Sequence, residues 1–231
     1  MVFQDPLASL NPRMTAAALV AEPLRSLRPE LDATERSRRA AEMLERVGLS
    51  ASLGARYPHE FSGGQCQRIG IARALVVEPR LLICDEPVSA LDVSVQAQII
   101  NLLRELQAER GLSMIFIAHD LAVLRHLSDR VMVMYAGRLM EQGESAELFR
   151  APAHPYTRAL LACVPGIQDS QRLRQESLLD GELPSAAHPT PGCVFVSRCP
   201  MADEQCTRRP PPARKLLRGG VAACHYAAGA A

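Results

Sequence analysis

Apolar and polar residues follow two different periods along the first 150 positions of the chain. In some stretches apolar residues recur every three to four positions, which is typical of a helix with one buried face. In others they form short uninterrupted runs, which are typical of buried strands. The pattern predicts helices at 32–48, 64–77 and 94–110, and strands at 81–84, 113–118 and 130–135.

The alternation of predicted strands and helices indicates an α/β fold with a parallel sheet. The runs at 81–84 (LLIC) and 114–118 (MIFIA) contain no polar residue. Strands of that kind are expected to be buried on both faces. We therefore expect the first part of the chain to be an α/β domain.

The composition changes near residue 150, where prolines become frequent and four cysteines follow in the last forty residues. A segment of this kind has little core of its own and is expected to need an additional crosslink or ligand. We therefore predict a main domain at 1–150, with a helical subdomain at about 15–80, and a Cys-rich appendage at 151–231.

Composition and charge exclude several classes of protein. The 231 residues are 48% hydrophobic, which suffices for one sizeable core, and 26 basic residues balance 25 acidic ones. The Arg-rich stretches 36–39 and 208–218 alternate with acids or prolines and lack interleaved aromatic residues, so we expect no nucleic-acid partner. No apolar run has the roughly 18 residues of a membrane helix, and the first residues do not resemble a signal peptide. We expect a cytoplasmic chain.

Two acids follow the first predicted strand. Asp85 and Glu86 stand in LLICDEP, at the carboxyl end of the strand, where α/β sheets bind their ligands. An Asp at that position can hold Mg²⁺ on a nucleotide, and the neighbouring Glu can orient or deprotonate a water molecule. An isolated Asp-Glu pair would more simply be a strand end that turns polar.

A glycine-rich turn lies upstream of the acid pair. Ser62, Gly63 and Gly64 precede a predicted helix, so the free N–H groups and the positive end of the helix dipole would form an anion site. Taken alone, this segment is also a simple N-cap with flexible flanks.

Taken together, the motifs resemble those of ATP-binding-cassette ATPases. FSGGQ (61–65), LLICDEP (81–87), SALD (89–92) and IFIAHD (115–120) are similar in order and spacing to the signature motif, Walker B motif, D-loop and switch histidine of that family. Gln4, in VFQDP, resembles the glutamine of the Q-loop. Together with HPYTRALL (154–161) and the Cys-bearing tail, the chain most resembles the ATP-binding subunits of oligopeptide, dipeptide and nickel importers.

The resemblance implies a role for each matching residue. Asp85 would help hold Mg²⁺, Glu86 would be the general base and His119 would contact the γ-phosphate of ATP. Gln4 would sense Mg²⁺ and couple to the membrane subunits.

The same resemblance implies a site shared between two chains. The signature residues Ser62, Gly63, Gly64 and Gln65 would reach a nucleotide held by the partner, with Asp92 of the D-loop also among the nucleotide-binding residues. The implied function is ATP hydrolysis that energises import of peptides or a related small solute.

The resemblance also implies the partners and the location. The partners would be a second ATPase subunit, two transmembrane permease subunits and, indirectly, a periplasmic or extracellular solute-binding protein. The chain would be peripheral, on the cytoplasmic face of the inner or plasma membrane. A soluble cassette ATPase of DNA repair is disfavoured because no coiled-coil insertion is present and the tail resembles that of the importers.

One family motif has no counterpart in the sequence. No Gly-x4-Gly-Lys-Ser/Thr segment occurs, and the only lysine, Lys215, lies far from any glycine loop. The resemblance thus implies that the N-terminal part of a nucleotide-binding domain is lacking. Two interpretations stay open, a start site that lies upstream and a truncated, non-catalytic subunit that donates only its signature motif to a partner's ATP site.

Four cysteines mark the tail. Cys193, Cys199, Cys206 and Cys224 are spaced C-x5-C-x6-C-x17-C, which lacks the paired C-x2-C of a zinc ribbon. The resemblance to the tails of dipeptide-type importer ATPases implies that these thiolates would hold a [4Fe-4S] cluster. Zinc, four reduced thiols and a disulfide formed on isolation are the alternatives.

Overall fold

The computed structural model describes residues 1–89, 91–164 and 191–229 and divides the chain into two compact units, Met1–Asp120 and Leu121–Ala231. Ala90 of the SALD segment and the stretch 165–190 of the appendage lie outside the described residues. The units differ from the compositional domains 1–150 and 151–231, whose bounds stay a prediction.

The first unit begins with helices and continues with two strands separated by a long helix. All predicted helices and strands of this region are present, and their ends differ by a few residues at most. The helices at Pro6–Ser9 and Ala16–Leu27 were not predicted. The elements are α1 (Pro6–Ser9), α2 (Ala16–Leu27), α3 (Ala33–Arg46), 3₁₀ turns at Ala51–Ala55 and Pro58–Glu60, α4 (Gly63–Leu75), β1 (Leu81–Asp85), α5 (Val93–Arg110) and β2 (Ser113–Ile117).

Side-chain caps and a left-handed residue set the helix ends. Asp32 accepts the backbone N–H of Glu35 at 2.7 Å and begins α3, and Thr15 caps α2 in the same way. Gly111, at φ +59°, ends α5, because glycine adopts this conformation without steric cost. The core of this unit is formed by the buried faces of these helices together with β1 (Leu19, Val20, Leu24, Leu44, Ile69, Ile71, Leu75, Leu82, Ile99, Leu103).

Strands β1 and β2 are parallel, as the alternating pattern predicts. Their register runs from Leu81 opposite Ser113 to Asp85 opposite Ile117. The expectation that both faces are buried is wrong in this structure. Leu82 and Cys84 are buried, whereas Ile115 and Ile117 are half exposed. The described residues cover one face of this two-stranded sheet more completely than the other.

The second unit is formed around an antiparallel sheet. Its elements are α6 (Leu121–Leu127), β3 (Arg130–Tyr135), β4 (Arg138–Glu144), α7 (Ser145–Arg150), α8 (Pro155–Ala162), a 3₁₀ turn at Val196–Arg198, α9 (Glu204–Arg208), β5 (Ala213–Lys215) and β6 (Val221–Ala223). The four strands lie in the order β3-β4-β6-β5. A parallel arrangement was expected for the predicted strand 130–135, and that expectation is wrong. Ala136 and Gly137 both have positive φ, as a two-residue hairpin turn requires, and they return the chain directly into β4.

A buried polar contact joins α8 to this sheet. The carboxylate of Glu141 on β4 accepts the backbone N–H groups of Ala153 and His154 at 2.8 and 2.9 Å. Nδ1 of His154 accepts the N–H of Tyr156 at 3.0 Å and caps α8. The HPYTRALL segment therefore has a structural role, because its histidine both caps the helix and binds the sheet through its backbone N–H.

His154 should make the stability of the protein depend on pH. It is 1% exposed, and burial lowers its pKa from 6.5 to about 4, against the opposing effect of a hydrogen bond to the backbone of Ala223. The folded state keeps the ring neutral while the unfolded chain binds a proton. Above pH 6.5 the His154 ring is neutral in both states and does not lower the free energy of unfolding. As the pH falls towards 4 the free energy of unfolding decreases, by about 2 kcal/mol at pH 5.

The measurement is the free energy of unfolding at pH 7.5 and pH 5, followed by circular dichroism. His154→Asn retains a capping side chain but does not titrate, so its loss between the two pH values should be smaller by about 2 kcal/mol. His59→Asn, on an exposed turn, is the control and should lose as much as the wild type. Equal losses in wild type and His154→Asn would contradict the prediction.

Candidate functional site

The backbone changes direction at Glu86, directly after β1. Glu86 has φ +43°, a conformation that residues other than glycine adopt at a steric cost. Its N–H donates to the carbonyl of Ile117 at 3.0 Å, and its own carbonyl accepts the hydroxyl of Ser89 at 3.0 Å. These contacts hold the carboxylate at the carboxyl end of the two strands, where Asp85 is the last residue of β1.

Two other predicted residues lie beside the Glu86 carboxylate. Nε2 of Gln4 donates to Oε2 of Glu86 at 2.9 Å, and Nδ1 of His119 lies 3.4 Å from the same oxygen. The Glu86 side chain is 26% exposed and that of His119 is 69% exposed, so the group is open to solvent. A carboxylate, an amide and an imidazole from three separate segments therefore meet at one edge of the sheet.

Backbone pairing explains how these segments meet. Val2 lies along β1, with its N–H donating to Ile83 at 2.8 Å and its carbonyl accepting from Asp85 at 2.9 Å. Gln4 follows two residues later and thereby reaches Glu86. His119 follows β2, whose last residue is opposite Asp85.

A small cavity of about 50 Å³ opens beside the carboxylate. Glu86, Ser89, His119 and Asp120 line it together with Gln96, which the sequence analysis missed. Gln96 is four residues after Asp92, on the first turns of α5. The spacing could have indicated it, because residues four apart lie on the same face of a helix.

The signature segment forms the first turn of α4. Ser62 is the N-cap: its Oγ accepts the N–H of Gln65 at 3.4 Å, and Oε1 of Gln65 accepts the N–H of Ser62 at 3.0 Å. This reciprocal pair is a capping box, and it directs the free N–H groups of the first turn outward from the helix end. Residues 62–65 do not line the cavity beside Glu86.

Asp92 caps α5, whose first turn lies against the signature turn. Its Oδ1 accepts the hydroxyl of Ser94 at 2.6 Å and the N–H of Val95 at 3.0 Å, and these hydrogen bonds lower the pKa of Asp92. Gly64 lies against Val95, because a Cβ added to Gly64 would be 2.7 Å from Val95 Cγ1. The D-loop aspartate and the signature motif thus begin two helices that touch at their first turns.

The four tail cysteines are neighbours in the second unit. Cys193, Cys206 and Cys224 are buried, Cys199 is partly buried, and all four are free thiols. Burial raises the pKa of each thiol, and that of Cys199 rises to about 11, in part because the other three cysteines are close.

The thiols are nevertheless not arranged as a ligand set. Within residues 1–89, 91–164 and 191–229, no group of three or more His, Cys, Asp or Glu side chains has a geometry that could hold a metal ion. In the same residues, no helix combines the length and the hydropathy needed to cross a bilayer.

Comparison with known proteins gives concordant results for both parts of the chain. Residues 1–89 match the ABC transporter family, and residues 140–206 match the family described as oligopeptide/dipeptide transporter, C-terminal region. The oligopeptide transport ATP-binding protein OppF of Haemophilus influenzae is 56% identical over 97% of this chain and 68% of its own length. OppF of Escherichia coli is 57% identical over 96% of this chain and 66% of its own length.

A solved structure is also similar. The ATP-binding cassette MJ0796, determined as a dimer in a post-hydrolysis state bound to ADP and Pi, has a TM-score of 0.54 and 30% identity over 62% of both chains. The chain spans about two thirds of the length of the curated relatives it matches.

The contact between Gly64 and Val95 can be tested by adding one methyl group. Gly64→Ala should lower the free energy of unfolding by about 1–3 kcal/mol, because the stiff Val95 side chain cannot move aside without shifting α5. Gly63→Ala is the matched control, since no atom lies within 4 Å of its added Cβ, and it should be neutral or slightly stabilising. Val95→Ala in the Gly64→Ala background should restore most of the loss. Equal stability of the two glycine variants, measured by chemical denaturation, would contradict a close contact between Gly64 and Val95.

Proposed function

The chain belongs to the ATP-binding proteins of oligopeptide and dipeptide ABC transporters, and on that premise we propose that it energises peptide import by binding and hydrolysing ATP. Its fold class is accordingly the ABC-type nucleotide-binding domain of the P-loop NTPases. The observation that carries the proposal is the meeting of Glu86 with Gln4 and His119 at the end of β1.

Glu86 is proposed as the general base. Its carboxylate lies beside a small cavity and has one oxygen, Oε2, held by Gln4 and close to His119. The other oxygen is left to accept a proton from a water molecule, which is the role of a carboxylate in hydrolysis of a phosphoanhydride. His119 is proposed to hydrogen-bond the γ-phosphate, since its ring is largely exposed at the rim of the same cavity.

Asp85 and Gln4 are suited to hold the Mg²⁺ that the family uses with ATP. Asp85 supplies a carboxylate, and Gln4 donates its amide nitrogen to Glu86, which leaves its Oε1 free to face a cation. Oxygen ligands of this kind are those that Mg²⁺ prefers. When bound there, Mg²⁺ would offset the negative charge that develops on the phosphates during hydrolysis.

The signature residues Ser62, Gly63, Gly64 and Gln65, with Asp92 beside them, are proposed to act on a nucleotide in a second ATPase subunit. The free N–H groups at the start of α4 suit an anionic phosphate, and Gly63 has open space around it through which a phosphate can approach the backbone. The dimeric state of the similar cassette MJ0796 supports such an assembly.

Membrane permease partners follow from the family, and the number of subunits and the location of the chain are proposed here. These are two transmembrane permease subunits, a second ATPase subunit, an indirect solute-binding protein and a peripheral position on the cytoplasmic face of the membrane. They rest on the similarity to oligopeptide transport proteins.

The cluster hypothesis for the tail rests on the sequence and on proximity alone. The four thiols of Cys193, Cys199, Cys206 and Cys224 are free, and the other three are close to that of Cys199, as a [4Fe-4S] cluster would require. Their side chains do not form a ready ligand set, so the geometry itself lends no support to the cluster. No step of the proposed reaction depends on it.

Replacement of the proposed base tests the main proposal. In the complex assembled with its permeases, Glu86→Gln should lower ATPase activity by about 10²–10⁴-fold, because the amide cannot accept the proton. Glu105→Gln, an exposed change of the same kind on α5, is the control and should leave activity unaltered. Unchanged activity in Glu86→Gln would reject the catalytic role and favour the alternative, a subunit that donates only its signature motif in trans.

The tail has its own test. After anaerobic purification, a [4Fe-4S] protein should absorb at about 400 nm, and Cys224→Ser should reduce that band. Cys163→Ser removes an exposed thiol outside the tail and should leave the band intact. A colourless protein without metal would refute the cluster, and bound zinc without the band would assign the site to zinc.

A further inference from the structure

A second cavity in the first unit is lined mainly by charged side chains. It has a volume of about 200 Å³ and lies between α3, the turn after α4 and the last residue of α5. It shares no lining residue with the cavity beside Glu86. Its charged lining consists of four arginines and two glutamates (Arg38, Arg39, Arg46, Arg110, Glu42, Glu78).

Three of the arginines are held in place by ion pairs. Arg38 and Arg39 both bind Glu35, at 2.7 and 2.8 Å, and Arg46 pairs with Glu109 of α5. Hydrogen bonds from Arg38 and Arg39 lower the pKa of Glu35 to about 2, so that these groups stay charged at neutral pH. The arginine side chains are therefore preorganised around the cavity.

Arg110 differs from the other three because its charge is not used. No side-chain hydrogen bond or ion pair of Arg110 is found among the described residues, and its Nη1 is shielded from solvent without an acceptor. Arg110 as a whole is only partly buried, but a shielded N–H donor without a partner is still costly. A ligand that offers oxygen acceptors would remove this cost.

We propose that this cavity binds a small phosphate-type oxyanion, with Arg110 as the anchoring donor. The planar guanidinium presents paired N–H groups that match two oxygens of a phosphate. Arg38, Arg39 and Arg46 already pair with Glu35, Glu42 and Glu109, so Arg110 is the arginine of the lining that is left to bind an anion. The volume suits a single phosphate group and is below the range of pockets that hold larger ligands.

Two sources of this chemistry are compatible with the cavity, namely free inorganic phosphate and the phosphate of a lipid headgroup. The inference concerns residues outside the proposed ATP site and stands independently of the hydrolysis proposal.

Binding of inorganic phosphate to the full chain is the first measurement. Equilibrium dialysis at constant ionic strength should detect a site whose affinity falls by at least about tenfold in Arg110→Gln. Arg104→Gln, an exposed arginine on the same helix that does not line the cavity, is the matched control and should retain the site. Arg46→Gln should weaken binding to a lesser extent and guards against a folding defect specific to position 110.

The second measurement distinguishes the two sources. Sedimentation with phosphatidylglycerol vesicles, compared with phosphatidylcholine vesicles, should show binding that depends on Arg110 and is competed by phosphate if the ligand is a headgroup. Phosphate binding without vesicle binding assigns the site to the free anion. Either result supports the site, whereas equal phosphate affinity in wild type and Arg110→Gln, or no binding by either, overturns it. Glu86→Gln should bind phosphate at this cavity as the wild type does, so a failure here does not bear on the hydrolysis proposal.

Discussion

The parallel pairing of β1 with β2 is the contact on which the proposed active site depends. Its register sets Asp85 opposite Ile117, so the residues that follow each strand, Glu86 and His119, emerge at the same edge. Val2 pairs along the other side of β1 and carries Gln4 to the same place. A shift of one residue in this register would turn the side chains of the strand to opposite faces and separate the group.

A second constraint acts at the helix ends. Asp92 caps α5, and the third residue after it, Val95, packs against Gly64 of the signature turn. Because a capped first turn is well ordered and Val95 is β-branched, this contact fixes the spacing between the start of α4 and the start of α5. The signature turn and Asp92 therefore lie at the starts of two helices that meet through Gly64 and Val95.

Much of the first unit could be predicted from the sequence because its signals are local. Caps, helix periodicity and the apolar strand LLIC are set by neighbouring residues, and the acid pair at its end follows from the same pattern. The exposure of Ile117 and the antiparallel partner of β3 could not be predicted in this way, because they depend on which other segments cover a strand. The contact of Gln4 with Glu86 likewise joins two residues that are 82 positions apart in the sequence. The order of the motifs suggests that the two lie close together, but it does not specify the contact.

The central claim is that Glu86 removes a proton from water and does not hold the nucleotide. The most direct test is the ATP affinity of the assembled complex, measured with Mg²⁺ in wild type and in Glu86→Gln under conditions that prevent turnover. The account predicts that ATP affinity is retained in the variant, because the amide keeps the shape of the site and loses only its basicity. A fall in ATP affinity that matches the fall in turnover would contradict it, since Glu86 would then act in binding.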